Sequence, residues 1–116
     1  MTYDEFKKTC NQQISLQGKD KELIASTQQW FSRANEYAYS YNFEWANRPL
    51  IQYPQDVIQF QECFFEAKPD IVIETGIAHG GSVALSASLL CLLDVMEGID
   101  PRKSDRKVVA IDIDIR

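Results

Sequence analysis

Residues 72–82 read VIETGIAHGGS, and the prediction of the fold depends on this stretch. Two β-branched residues and an acid, Glu74, precede a segment with three glycines, and Ser82 then begins a long apolar run. This order is typical of a buried strand that turns directly into a helix. The segment IVIET at 71–75 therefore predicts a strand, and the run from Ser82 to Ile99 predicts a helix that is covered on most sides.

A second strand is predicted downstream of this helix. The charged segment at 100–107 is typical of a loop with a solvated surface, and VVAIDIDI at 108–115 is apolar and β-branched. Strand, helix and strand make one βαβ unit over residues 70–115, in which the strands are parallel. The predicted class is α/β, as the N-terminal portion of a Rossmann-like fold with a helical lead-in.

The lead-in predicts helices with a loop between them. Apolar residues recur at threes and fours from Lys19 to Tyr41, as one face of an amphipathic helix requires, after a short polar first helix. Residues 37–45, YAYSYNFEW, fit either a strand or the end of that helix, and NRPLIQYPQD at 47–56 is typical of a loop. A helix is predicted from Gln55 to Ala67. Its expected buried stripe consists of Val57, Ile58, Gln61, Phe64 and Phe65.

Composition narrows the class of partner and the compartment. The chain has 116 residues, a formal net charge of -5 and a pI near 4.8, which argues against nucleic acid and against anionic membrane surfaces. A small-molecule or protein partner is expected instead. Three cysteines and one histidine without metal-ligand spacing indicate neither a disulfide framework nor a zinc site. No apolar stretch approaches the ~18 residues of a membrane span, and a cytoplasmic location is predicted.

The glycine turn is predicted to hold an anionic group. Parallel sheets bind ligands at the carboxyl ends of their strands, where the following helix presents its N-terminus. Gly76 would allow the tight turn, Gly80 and Gly81 a close approach to the ligand, and Ser82 would add a hydroxyl. A phosphate-binding P-loop needs a lysine before the serine, and the dinucleotide fingerprint needs a glycine at 78, where this chain has Ala78.

An acid before the glycine turn suits a ligand with both an ammonium and a carboxylate. Glu74 can accept hydrogen bonds from the ammonium, and the helix N-terminus near Ser82 can receive the carboxylate. The amino-acid end of S-adenosylmethionine carries both groups. Asp112, at the end of the second strand, is placed where an acid would bind paired ribose hydroxyls.

With these residues assembled, the sequence resembles the cephalosporin hydroxylase family, whose fold is Rossmann-like and of methyltransferase type. The resemblance rests on ETGIAHGGS and VVAIDID and on an upstream segment with Trp45, Pro49, Gln52, Pro54 and Asp56, and it covers about residues 45–114. The glycine motif is also similar to that of catechol O-methyltransferases. Many relatives have a glycine shortly after the tryptophan, where this chain has Ala46 and Asn47.

The resemblance implies an S-adenosylmethionine-dependent O-methyltransferase whose acceptor is a hydroxyl of a saccharide, a glycolipid or another small molecule. The resemblance carries over Glu74, Gly76 and Ser82 to the methionine end and Asp112 to the ribose, with Asp114 as a second candidate for that role. Gly80 and Gly81 are added to the predicted cofactor-binding residues from the glycine turn itself. In the resembling families a metal, usually magnesium, is held by acids after later strands. Magnesium and the catalytic residues are therefore expected beyond Arg116.

These expectations define two regions and leave alternative functions open. Residues 1–45 are predicted to be a helical region, and residues 46–116 the first half of a cofactor-binding domain that stops after its second strand. Such a chain alone is expected to be inactive. Because two parallel strands leave apolar faces uncovered, it is expected either to be the N-terminal part of a longer enzyme or to associate with itself. The alternatives are a non-catalytic binding or assembly module and a nucleotide binder. His79 is disfavoured as a catalytic base.

Overall fold

A computed structural model describes residues 1–115 and confirms the α/β class, with a helical lead-in followed by one βαβ unit. The chain forms two compact units, residues 1–38 and the part that begins at Tyr39. None of the helices within residues 1–115 combines the length and the apolar character that crossing a membrane requires. The helices and strands are α1 (Tyr3–Gln17), α2 (Lys21–Asn35), β1 (Phe43–Trp45), β2 (Arg48–Leu50), α3 (Pro54–Ala67), β3 (Ile71–Thr75), α4 (Gly81–Met96) and β4 (Lys107–Ile111).

The first unit consists of helices α1 and α2, each with a side-chain cap at its N-terminus. Thr2 and Glu5 form a capping box at α1, and Asp20 accepts a hydrogen bond from the backbone N–H of Leu23 at α2. The amphipathic helix expected to reach Tyr41 ends at Asn35, and Ala38 has a left-handed φ of 51°, which no helix accommodates. Neither helix contains a fully buried residue.

A β-hairpin replaces much of the loop predicted at 47–56. After a short 3-10 turn at Tyr39–Tyr41, β1 pairs antiparallel with β2, so that Trp45 lies opposite Arg48. Ala46 and Asn47 connect the strands with φ values of 51° and 62°. Two-residue hairpin turns of type I′ require left-handed conformations at both positions and usually carry Asn-Gly there. The absence of this dipeptide explains why the sequence predicted a loop.

The βαβ unit forms as predicted, but its second strand ends at Ile111, four residues before the predicted end, and its helix ends at Met96 instead of Ile99. β3 and β4 are parallel, and Glu74 lies beside Ala110 in the register. Helix α3 begins at Pro54, one residue before the predicted start, with the proline in the first turn. β4 ends at Ile111, so Asp112 lies just after the strand.

The core of the second unit lies on one face of this small sheet. Phe64 of α3 belongs to this core, whereas Ile58, which was predicted to be buried, is 59% exposed. Leu93 of α4 is the most deeply buried of the large side chains described. Along β3 and β4, half-buried and exposed residues alternate, so the opposite face of the sheet is open. The buried cluster consists of Leu50, Phe64, Leu85, Leu89, Leu90 and Leu93.

Candidate cofactor-binding site

Glu74 and Ser82 meet across the glycine turn. Glu74 is at the C-terminal end of β3 and points to the covered face of the sheet, and Ser82 lies in the first turn of α4. The Ser82 hydroxyl donates a hydrogen bond to Oε1 of Glu74. A carboxylate has two oxygens, so this bond orients the group while the second oxygen can accept from a ligand. The structure therefore brings together two of the residues that the sequence predicted for one site.

The turn between them is held by backbone bonds and left-handed residues. Gly76 and Gly80 have φ values of 83° and 84°, as the predicted tight turn requires, and Ala78 has a φ of 48°. The N–H of Gly76 donates to the carbonyl of Ile111 at 2.8 Å, and that of Gly80 donates to the carbonyl of Ile77 at 2.9 Å. The turn is thus fixed to β4 before any ligand is present.

Asp112 fixes the turn at a second point. Its Oδ2 accepts from the backbone N–H of Ile77 at 2.6 Å, and its Oδ1 accepts from the N–H of Asp114 at 3.1 Å. These hydrogen bonds, that from Ile77 being the stronger influence, lower the pKa of Asp112 below its usual value of 3.8. The role of Asp112 in holding the turn was not predicted from the sequence, and its proposed contact with a ribose stays a prediction.

Because the pKa of Asp112 is lowered, its hydrogen bond from the Ile77 N–H depends on pH in a predictable direction. A carboxylate whose pKa is lower in the folded state stabilises that state above the unfolded pKa, and this contribution is lost as the pH falls through the folded pKa. We therefore expect the Ile77 amide resonance to be constant near neutral pH and to titrate with a midpoint below the usual carboxyl pKa. Asp112→Asn should remove this titration. A midpoint above the usual carboxyl pKa would contradict the bond.

Two cavities adjoin at the C-terminal end of β3. The smaller one, of about 220 Å³, lies over the glycine turn, and the larger one, of about 590 Å³, lies between α3 and α4. Both are lined by Glu74, Thr75, Ser82 and Gln52. Among the described residues, the predicted site residues that line the smaller pocket are Glu74, Gly76, Gly81 and Ser82, whereas Gly80, Asp112 and Asp114 lie outside it.

The second wall of the smaller pocket comes from a segment that the sequence analysis did not assign to the site. Pro49, Ile51 and Gln52 line it opposite the glycine turn. The hairpin that carries this wall is bonded to α4, because the indole N–H of Trp45 donates to the Ser88 hydroxyl at 2.9 Å. The only earlier signal was that Pro49 and Gln52 belong to the segment resembling the cephalosporin hydroxylases.

Gly81 has a structural role at this wall. A Cβ on Gly81 would lie 2.7 Å from Cα of Leu50 and nearer still to the carbonyl oxygen of Pro49. The first turn of α4 therefore contacts the backbone of β2 directly. Glycine is required here for backbone packing, whether or not a ligand also approaches it.

No metal site is formed in the part of the chain that the structure describes. Within residues 1–115, no three histidine, cysteine, aspartate or glutamate side chains are grouped so that they could hold an ion.

Comparison with known proteins identifies the family. The searches of curated proteins and of solved structures returned no match. Residues 37–116, well over half of the chain and including the hairpin, the glycine turn and Asp112, match the family model described as rhamnosyl O-methyltransferase/CmcI. The chain therefore belongs to this O-methyltransferase family, and its βαβ unit is part of a Rossmann-like methyltransferase fold.

Proposed function

We propose that this chain carries the cofactor-binding half of an S-adenosylmethionine-dependent O-methyltransferase that acts on a hydroxyl of a saccharide or another small molecule. One observation supports this most directly: Glu74 and Ser82 are hydrogen-bonded at the end of β3, beside a pocket lined by the glycine turn. Membership of the rhamnosyl O-methyltransferase/CmcI family supports methyl transfer and a saccharide acceptor.

The residues at the pocket suit the amino-acid end of this cofactor. Glu74 would accept from the ammonium, and the N-terminal turn of α4, which begins at Gly81, would present backbone N–H groups and its dipole to the carboxylate. At about 220 Å³ the pocket is smaller than most small-molecule sites, so it fits one end of the cofactor. Asp112 and Asp114 remain the candidates for the ribose.

When bound, S-adenosylmethionine supplies an electrophilic methyl group, whose S–C bond breaks as a bond to the acceptor oxygen forms. The task of this chain is to hold the cofactor so that the methyl faces the acceptor, since orientation supplies much of the rate in a displacement. The hydroxyl proton must pass to a base. We assign that base, and the magnesium of the resembling families, to no residue of the described chain.

Self-association and a cytoplasmic location are part of the same proposal. Ile71, Ile73, Val109 and Ile111 lie on the open face of the sheet and are 39–69% exposed, although parallel sheets are normally covered on both faces. Within the described residues, none of the three cysteines forms a disulfide, as suits a reducing compartment. Sedimentation of the chain over a concentration range tests the association.

Calorimetric titration of S-adenosylmethionine and S-adenosylhomocysteine tests cofactor binding. We expect saturable binding of both, weakened at least about tenfold by Glu74→Gln, because a hydrogen bond to a charged group contributes about 1.5–3 kcal/mol. Glutamine keeps an acceptor for Ser82 and removes only the charge. The matched control is Glu66→Gln, on an exposed position of α3.

The outcomes separate this proposal from its alternative. A folded chain that binds neither compound would contradict the cofactor site and favour a non-catalytic assembly module, whose specific support is the open apolar face of the sheet. Equal binding by wild type and Glu74→Gln would show that a ligand binds without using this carboxylate.

A further inference from the structure

Gln52 occupies the junction of the two cavities. It follows β2 by two residues and lines both the pocket over the glycine turn and the larger cavity, together with Glu74 and Ser82. A side chain at this junction can contact a cofactor in the smaller pocket. A role for Gln52 at the site was not predicted from the sequence.

The backbone of Gln52 is held by hydrogen bonds, whereas its side-chain amide is available to a ligand. Its N–H donates to the carbonyls of Ser40 and Leu50, both at 3.0 Å. Leu50 is itself buried and packed against Gly81 of α4. Within the part of the chain that the structure describes, the Gln52 amide group makes no hydrogen bond to protein. Gln52 is exposed, so its amide, with two donors and one acceptor, is open to solvent and to a ligand at the edge of the pocket.

The charges at the smaller pocket indicate what this amide would bind. Among the described residues no lysine or arginine lines the pocket, so a carboxylate there must be bound by neutral donors. The Ser82 hydroxyl already donates to Glu74, and the Thr75 hydroxyl lines the pocket on the side of β3 and the glycine turn. Apart from backbone N–H groups, Gln52 is the remaining donor on the wall opposite the turn.

We infer that Gln52 is a further ligand-binding residue, whose side-chain amide donates to the carboxylate of the amino-acid end of the ligand. The inference rests on the proposed function, in which Glu74 binds the ammonium of the same group. Because glutamine is neutral, it binds the carboxylate without competing with Glu74 for the ammonium. The pocket then recognises a zwitterion from two walls, one on β3 and one after the hairpin.

Two related ligands test this role. S-adenosylhomocysteine has an amino-acid end, and 5′-methylthioadenosine lacks it but keeps the adenosine and the thioether. We expect Gln52→Leu to weaken S-adenosylhomocysteine binding about tenfold in calorimetric titration and to leave 5′-methylthioadenosine unchanged. Gln52→Glu should weaken the first ligand further, because it places a second negative charge beside the carboxylate. The matched control, Gln59→Leu, lines only the larger cavity and should bind both ligands as wild type does.

Each contrary result has a distinct meaning. A folded Gln52→Leu variant that binds S-adenosylhomocysteine as tightly as wild type overturns the inference and leaves the proposed function intact. Equal weakening of both ligands also overturns it, because Gln52 would then act through the shape of the pocket. Failure of the wild-type chain to bind either ligand overturns the proposed function, and the role of Gln52 falls with it.

Discussion

Gly81→Ala is expected to destabilise the second unit by about 3 kcal/mol or more, at the upper end of what overpacking costs. The added methyl would collide with the backbone at Pro49 and Leu50, and backbone cannot move aside as a flexible side chain can. For a domain of this size the expected loss is more than about 10 °C in thermal midpoint. Differential scanning calorimetry or circular dichroism measures it directly.

Gly98→Ala separates this collision from the cost of backbone conformation. Gly98 has a φ of 76° and open space around its Cα, so alanine there meets only the left-handed penalty of about 1–2 kcal/mol. Gly81 has no such φ, and its cost comes from packing alone. If Gly81→Ala were as stable as Gly98→Ala, β2 would not pack on α4 as the structure shows.

The contrast between these glycines shows how far local sequence patterns can predict the site. The positive φ at Gly76 and Gly80 follows from a strand that turns directly into a helix, and that turn could be predicted from adjacent residues. The need for glycine at 81 depends on β2, which lies about thirty residues earlier. Since Ala46 and Asn47 carry no usual hairpin signal, β2 was predicted as loop, and its contact with α4 could not be foreseen.

For the binding residues too, local contacts could be predicted from the sequence and contacts between distant segments could not. Glu74 and Ser82 flank one turn, so their meeting could be expected from their spacing, and the structure shows it. Asp112 was placed correctly at the end of a strand, but its hydrogen bond to Ile77 depends on the register of two parallel strands. Gln52 reaches the pocket only because the hairpin folds against α4. The contacts of Asp112 and Gln52 depend on long-range packing, which the periodicity of residues along the chain does not encode. The contact between Glu74 and Ser82 is local and could be predicted.

The segment at 100–107 was predicted to have a solvated surface, and this is wrong at Arg106. The Arg106 side chain is only 12% exposed, with Nη1 2.7 Å from Oδ1 of Asp94 and Nη2 2.8 Å from Oε2 of Glu97. These carboxylates raise the pKa of Arg106, the hydrogen bond that Arg106 donates to Glu97 having the larger effect and the one to Asp94 the next. Runs of charge are usually solvated, and only the position of Asp94 on the buried face of α4 makes this run an exception.

We expect Asp94→Leu to destabilise the second unit strongly, because it leaves Arg106 largely buried without its closest partner. Asp94 is 2% exposed, so water cannot replace the lost carboxylate. The expected loss is on the order of 10 °C in thermal midpoint. By comparison, Asp100→Asn, which breaks the pair with the exposed Arg102 side chain, should change the midpoint little.

The double variant Asp94→Leu, Arg106→Met tests whether the loss comes from the weakened pairing of Arg106, which keeps only its contacts with Glu97 and Asp70 when Asp94 is removed. Replacing a buried ion pair with apolar residues of similar volume is often neutral, whereas removing one partner is not. The double variant should therefore recover most of the thermal midpoint that Asp94→Leu loses. Added salt should weaken the wild-type Asp94–Arg106 ion pair less than it weakens an exposed ion pair. If the double variant were as unstable as the single one, Asp94 would matter for its packing in α4. The contact between the end of α4 and the start of β4 would then depend on packing alone, and the charge of Arg106 would have no part in holding β4, the strand that precedes Asp112.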